Sequence, residues 1–394
     1  METHHHVHFR SAQDLSPLED ESVALIVTSP PYPMIEMWDR SFSDQDTAVE
    51  TALSAEDGDG AFAAMHRLLD RTWRECFRVL QPGGFACINI GDAVRTIGGT
   101  FRLYTNHSRI TTACEQFGFQ SLPAVIWRKQ TNAPNKFMGS GMLPAGAYVT
   151  LEHEYILVFR KGGKRTFAPA DRERRRRSAF FWEERNVWFS DLWDFKGVRQ
   201  HLYNGDAGMR SRSGAYPLEL PFRLINMYSL QGDTVVDPFL GTGTTTLAAI
   251  AAGRDSLGFE IDHAFSDAIE GAITGNIDFL TDRQLQRLQD HQEFVREYRV
   301  NRDHHFKHRN EHLDTPVMTG QERDLQIPVL RAIRRTESGR FCAEYRDPRE
   351  VTVDDGGGYF HGDTGRRGDA DRSPGSEQTT ADALSGQLDL PLED

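Results

Sequence analysis

The chain has 394 residues, 38% of them hydrophobic and 26% charged, with a formal net charge of −13. That length accommodates one large α/β domain with additions, or two ordinary domains, and no window approaches the roughly 18 consecutive apolar residues of a membrane span. The start, Met1-Glu2-Thr3-His4-His5-His6, lacks the regions of a secretory signal, and Cys76, Cys87, Cys114 and Cys342 lack the paired spacing of a zinc site or disulfide framework, so a soluble, cytoplasmic protein without membrane or metal is expected.

In chain order, His4-His5-His6 reads as a solvated terminus or the start of a strand. Val23 to Val27 is a short β-branched run ending at a Pro-Pro turn, the pattern of a buried parallel strand that delivers a loop at its carboxyl end. Apolar residues at helical spacing predict a helix over Ala61 to Val79, stopped by Leu80-Gln81-Pro82-Gly83-Gly84. Strands are predicted over Phe85 to Ile90, Ala124 to Trp127 and Tyr155 to Phe159, with a helix over Arg109 to Phe117. After a basic interruption the alternation resumes: helix Leu218 to Ser229, strand Thr234 to Val236, helix Thr245 to Ala252, strand Ser256 to Glu260. This rhythm predicts an α/β fold with a doubly wound, mostly parallel sheet. Beyond Thr274 a polar helix is expected over Asp278 to Val300, and Leu325 to Tyr345 adds a strand or helix of unassigned role.

Two strings carry the chemistry. Asp237-Pro238-Phe239-Leu240-Gly241-Thr242-Gly243-Thr244-Thr245 is a strand end, a glycine turn and a helix start. Gly241 and Gly243 allow close approach of a ligand, and the threonines can cap the helix. No Gly-Lys-Ser/Thr follows, and the glycine spacing is not that of dinucleotide folds. Glu260, at the end of the next strand, is placed to accept hydrogen bonds from ribose hydroxyls. The second string is Thr28-Ser29-Pro30-Pro31-Tyr32. Two prolines fix the backbone and donate nothing, so the Ser29 hydroxyl and the Pro30 carbonyl can hold the two N–H groups of an exocyclic amine while Tyr32 stacks on the ring. Taken singly, each string is also a plain turn: a βα glycine turn and a rigid Pro-Pro turn.

Together the strings resemble the amino-methyltransferases of DNA that use S-adenosylmethionine, and with the amine string first and the cofactor string late, the order resembles their permuted β class. The resemblance spans about Val7 to Ile273 and implies a Rossmann-like methyltransferase fold in which Ser29, Pro30, Pro31 and Tyr32 form the catalytic loop. It implies that Asp237, Pro238, Phe239, Gly241, Gly243, Thr244 and Glu260 hold S-adenosylmethionine. Arg10-Ser11 stands where the family often has Gly-Asp, giving Ser11 a cofactor contact; Ser213 to Leu220 resembles the segment over the methionine part, without the histidine often found there. Serine at the first loop position is typical of enzymes making N4-methylcytosine, with adenine N6 as the alternative; an RNA base methyltransferase or an inactive DNA-binding protein are further readings. Asn135 to Pro144 and Glu152-His153-Glu154-Tyr155 resemble an archaeal subgroup that modifies CTAG.

The expected division is 1–160 and 213–273 as the two halves of the methyltransferase domain, 161–212 as a target-recognition insertion, 274–353 as an extension, and 354–394 as a disordered tail with ten acidic and three basic residues. Lys161 to Arg212 holds thirteen basic and seven acidic residues. There Arg172, Arg174, Arg175, Arg176 and Arg177, followed by aromatics, are the expected contacts to double-stranded DNA, against the plain reading of a solvated helix face. A cognate restriction endonuclease is the further partner expected, and oligomeric state is left open. His304, His308 and His312 would stripe one face of a helix, but amine methylation needs no metal and none is expected.

Overall fold

The computed structural model describes residues 1–129, 138–195, 216–301 and 306–346. The tail, the segments Asn135–Phe137 and Ser213–Ala215, His304, and the second part of the basic stretch lie outside the described residues.

The strands in chain order are β1 (Glu2–Phe9), β2 (Val23–Thr28), β3 (Leu80–Ile90), the hairpin β4 and β5 (Ala93–Ile97, Thr100–Tyr104), β6 (Phe119–Arg128), the short pair β7 and β8 (Met138–Gly139, Ala147–Tyr148), β9 (His153–Lys161), β10 (Leu192–Asp194), β11 (Thr234–Asp237), β12 (Asp255–Glu260), the pair β13 and β14 (His308–Arg309, Pro316–Val317), β15 (Leu330–Glu337) and β16 (Arg340–Tyr345). Ten of them form one sheet in the order β10-β6-β9-β3-β2-β11-β12-β1-β16-β15. Within it β9 and β16 run against their neighbours, and all other pairings are parallel. The expected α/β, doubly wound, mostly parallel sheet is what forms.

β2 is buried along its whole length because helices cover both faces of the sheet. Leu25 and Val27 join a cluster with the helices Glu219–Tyr228 and Thr244–Ala252, whereas Ile26 joins the cluster under helix Gly58–Val79. That last helix begins where the Asp57 carboxylate accepts from Gly60 N (2.9 Å). Its apolar stripe runs through Ala61, Met65, Leu68, Trp73 and Val79. The chain passes directly into β3, whose register against β2 shifts between Leu80 and Phe85; there Gly83 (φ 78°) would set a Cβ 2.4 Å from the Arg165 backbone, so only glycine fits. Helix Thr244–Ala252 is buried at all nine positions because helix Ile277–Asn301 covers its outer side.

Of the two readings of the N-terminal histidines the strand start holds and the solvated end does not: they lie in β1, between β12 and β16, and His5 is 0% exposed. Its ring bonds Ser256 Oγ (2.9 Å) and Thr3 Oγ1 (2.8 Å). Nor is there a helix carrying His308 and His312: His308 sits in β13 and His312 in the turn after it, and no group of three metal-binding side chains occurs among the described residues. The region after Thr274 supplies the long helix and the hairpin β15–β16, which extends the main sheet. No helix among the described residues is long and apolar enough to cross a membrane.

Burial pushes the His5 pKa down to about 3. Between that value and the ordinary 6.5 the unfolded chain holds a proton the native one lacks, so His5 favours the native state fully above pH 6.5 and progressively less as pH falls. Measured by urea denaturation, the stability of the wild type relative to His5→Gln should drop by about 1.4 kcal/mol per pH unit between pH 6 and pH 4; a constant difference would show that His5 is not held neutral.

Candidate active site

β2 and β11 are adjacent and parallel, with Leu25 opposite Val235 and Ile26 opposite Val236. From β2 the chain proceeds toward β3, from β11 toward β12 on the other side, which makes this pair the topological switch point where open α/β sheets bind ligands. The strings from residues 28–32 and 237–245 therefore leave the same carboxyl edge side by side. Asp237, 3% exposed, ties them. One carboxylate oxygen accepts from Thr28 Oγ1 (2.6 Å) and Phe239 N (3.0 Å); the other accepts from Thr245 Oγ1 and Tyr216 Oη (3.3 Å). A buried carboxylate requires such donors, so Asp237 braces the turn from beneath.

The amine loop is equally built. Pro30 is buried, Ser29, Pro31 and Tyr32 are half-buried. Asn106 Nδ2 donates to the carbonyls of Pro33 and Gly91 (both 3.0 Å), and His66 Nε2 bonds Asn106 Oδ1 (3.0 Å), so the helix beside β3 fixes the loop's far end. The Tyr32 hydroxyl donates to Glu154 Oε2 (2.8 Å) and accepts from Asn89 Nδ2 (2.8 Å) and Ser29 Oγ (3.1 Å). Asn89 Nδ2 also donates to Glu154 (2.6 Å), whose other oxygen pairs with Lys129 Nζ. Burial, then the Glu154 charge, raises the Tyr32 pKa well above its ordinary value, so Tyr32 stays a neutral phenol. With the Ser29 hydrogen directed at Tyr32, the Ser29 oxygen offers lone pairs to an incoming N–H.

Asn89, Lys129 and Glu154 were not singled out from sequence as site residues. Asn89 had a signal, a lone amide inside the apolar run Phe85 to Ile90; Glu154 appeared only within a subgroup signature. They converge because β9 runs antiparallel to β3 with Ile90 opposite Tyr155, and to β6 with Trp127 opposite Glu154.

On the cofactor side Pro238 is buried and Phe239 packs edge-on against Trp73 (5.9 Å between centroids). Gly241 (φ 54°) and Gly243 (φ 88°) take the left-handed conformation, and nothing lies within 4 Å of a Cβ built at Gly241. Thr244 starts the helix, so the positive end of the helix dipole lies at this turn. Gly241 N donates to Glu260 Oε2 and Asp262 N to Glu260 Oε1 (both 2.8 Å). Burial raises the Glu260 pKa to about 7. Thr242 Oγ1 is buried without a hydrogen-bond partner. Open space over a glycine, an orphaned hydroxyl and an acid at the next strand's end suit the nucleoside and amino-acid parts of S-adenosylmethionine. Ser11 lies two residues past Phe9, which pairs with Glu260, so it shares this edge; its hydroxyl accepts from Gln13 N (3.3 Å).

The arginine run does not share it. Arg172 to Arg177 belong to helix Pro169–Arg177 at the opposite, amino edge of the sheet. Arg174 pairs there with Asp171 (3.0 Å) and with Asp233 (3.2 Å), the residue just before β11. All four cysteines are buried, and burial raises the thiols of Cys76, Cys87 and Cys114, so none is a poised nucleophile.

Comparison with known proteins agrees with this geometry. The N6/N4 family model described as DNA methylase matches residues 23–271. The chain is 48% identical over 350 residues to the type II methyltransferase M.MthZI of Methanothermobacter thermautotrophicus, covering 88% of this chain and 96% of that protein. It is 48% identical over 286 residues to M.MjaI of Methanocaldococcus jannaschii, covering 69% of this chain and 91% of the relative. The crystal structure of the Thermus thermophilus protein TTHA0409 complexed with S-adenosyl-L-methionine is similar at 32% identity and a TM-score of 0.51 over 67% of this chain and 92% of that one. The chain belongs to the N6/N4 DNA methylase family.

Asp237→Ala leaves four donors without their acceptor and should cost on the order of 3 kcal/mol or more in urea denaturation, with loss of cofactor affinity as the turn loosens. Stability within about 0.5 kcal/mol of wild type, the scale of an ordinary surface change, would refute the bracing role.

Proposed function

We propose that this methyltransferase places a methyl group from S-adenosylmethionine on the exocyclic N4 amine of cytosine within a short site in double-stranded DNA. The observation that carries this is the β2–β11 pairing, which sets the Ser29–Tyr32 loop beside the turn at Gly241. The target must swing out of the duplex at a cost of a few kcal/mol, offset in part by stacking. Ser29 Oγ and the Pro30 carbonyl then accept the two amine hydrogens and aim the nitrogen lone pair at the neighbouring cofactor turn. When bound, the cofactor supplies an electrophilic sulfonium methyl. The N–C bond forms as the S–C bond breaks, so positioning and polarisation carry the rate without a covalent enzyme intermediate. The surplus amine proton has a path along the hydrogen bonds of the loop: to Ser29 Oγ, whose own hydrogen faces Tyr32, and from Tyr32 to the Glu154 carboxylate. Lys129 offsets the Glu154 charge before that transfer.

Serine at position 29 favours cytosine N4 over adenine N6. The order of the strings fits the permuted β class, and the resemblance around residues 135–144 and 152–155 favours the CTAG-modifying subgroup. The type II names of the two relatives support a cognate restriction endonuclease as partner.

Mass analysis of nucleosides from DNA of cells expressing the protein should show N4-methylcytosine. N6-methyladenine instead would move the reading to adenine, and neither base would reject DNA modification. Ser29→Ala and Tyr32→Ala should each abolish transfer while retaining cofactor binding; full activity in both would refute the pocket.

Because the Glu260 carboxyl titrates near 7 and ribose hydroxyls donate to its ionised form, cofactor affinity should rise from pH 6 to pH 8, by up to about tenfold for one pKa unit. Calorimetry on Glu260→Gln should show weaker binding without that rise. An unchanged pH profile in the variant would remove Glu260 from the ribose site.

A further inference from the structure

At the amino edge, behind the catalytic pocket, lies a cleft of about 1160 Å³. Its wall includes Ala24, near the start of β2, and Phe85, which pairs with Leu25, so β2 itself separates it from Ser29: five residues at about 3.3 Å each, or roughly 16 Å. Among the described residues, eight of its lining side chains are basic and three acidic. The acids are spent: Glu311 pairs with Arg323, Asp324 with Arg176 (3.9 Å), and Glu322 accepts from Trp182 N (2.9 Å) and from Thr319. Lys164, Arg172, Arg175 and Arg185 have no acidic partner within 4 Å among the described residues.

Helix Pro169–Arg177 explains the arrangement. Arg174 and Arg177 turn inward, each with a buried Nε, and Arg174 anchors to Asp233. Arg172, Arg175 and Arg176, at i, i+3 and i+4, form an outer stripe facing the cleft. Beside that stripe the wall is aromatic: Trp182 is 38% and Phe189 41% exposed, and Arg175 and Arg185 already lie over the faces of Phe167 and Phe189 (4.6 and 5.6 Å). The volume exceeds the ~300–1,000 Å³ of small-molecule pockets. A row of guanidinium groups, two without an acidic partner among the described residues and Arg176 with only a 3.9 Å one, beside exposed flat rings is the chemistry that grips phosphates and stacks unpaired bases.

We propose that this cleft binds a single-stranded stretch of nucleic acid, phosphates on the Arg172-Arg175-Arg176 stripe and bases against Trp182 and Phe189, as a second nucleic-acid site separate from the base pocket. It does not depend on which base is methylated.

The test is fluorescence anisotropy of the full-length protein with a labelled twelve-residue oligothymidylate, which has no exocyclic amine to enter the Ser29 pocket. The triple variant Arg172→Ala/Arg175→Ala/Arg176→Ala, checked for an unchanged melting temperature, should bind about tenfold or more weakly, with the log–log salt slope shallower by about 2 for three lost phosphate contacts. Phe189→Ala should weaken binding with the slope unchanged, and Tyr32→Ala should bind as wild type. Wild-type affinity in the triple variant would overturn the proposal. So would equal weakening in Tyr32→Ala, which would put the strand in the catalytic pocket; tighter binding of a twelve-pair duplex, which would make the stripe a duplex contact; or competition by polyglutamate as effective as by unlabelled oligonucleotide, which would make the ligand an acidic peptide.

Discussion

The hydrogen bond from Thr28 to Asp237 joins the last residues of β2 and β11, two strands separated by some two hundred residues of sequence, and the active edge depends on it. Between these strands the sheet changes winding direction, so the loops that follow diverge and leave an opening. A carboxylate buried at that point is costly unless its oxygens are filled. Asp237 fills them from the amine strand, from its own turn, from Tyr216 and from Thr245, whose hydroxyl goes to Asp237 and not to the expected helix cap, the N-cap being Gly243 without a side-chain bond, and so turns a desolvation problem into a clamp on four segments.

The same logic builds the second layer of the site. Ser29, Tyr32, Asn89, Glu154 and Lys129 form one connected network in which donors and acceptors reinforce one another in a low-dielectric setting. It orients the Ser29 oxygen, which donates to Tyr32 and accepts only a long 3.4 Å contact from Asn89 Nδ2. Glu260 plays the matching part on the cofactor side, where two backbone N–H groups hold a carboxyl that burial brings near neutrality.

Charge is divided across the sheet. The net −13 of the chain conceals a basic stretch, and folding assigns that stretch's arginine helix to the amino edge. Half of that helix is structural, pinned by Asp233, and half faces a cleft of its own. A run that reads as one feature in sequence is thus two faces in space, because helical geometry sends residues 174 and 177 inward and 172, 175 and 176 outward.

By itself the sequence determined the alternation of strands and helices, the two loops that meet at the carboxyl edge, and the acid at the end of β12, because these depend on local signals: β-branched runs, Pro-Pro and Gly turns, and helical periodicity. Tertiary structure alone decided the rest. His5 became a buried strand residue because β16, from the far end of the chain, covers β1. Glu154, Lys129 and Asn89 joined Tyr32 because antiparallel pairing of β9 with β3 and β6 sets their register, and register is a property of strand pairs rather than of any one strand. The arginine helix went to the back of the sheet because β9 runs antiparallel to β3, so the chain leaves it at Lys161 on the amino edge, beside the start of β11, where Asp233 stands ready to receive Arg165 and Arg174.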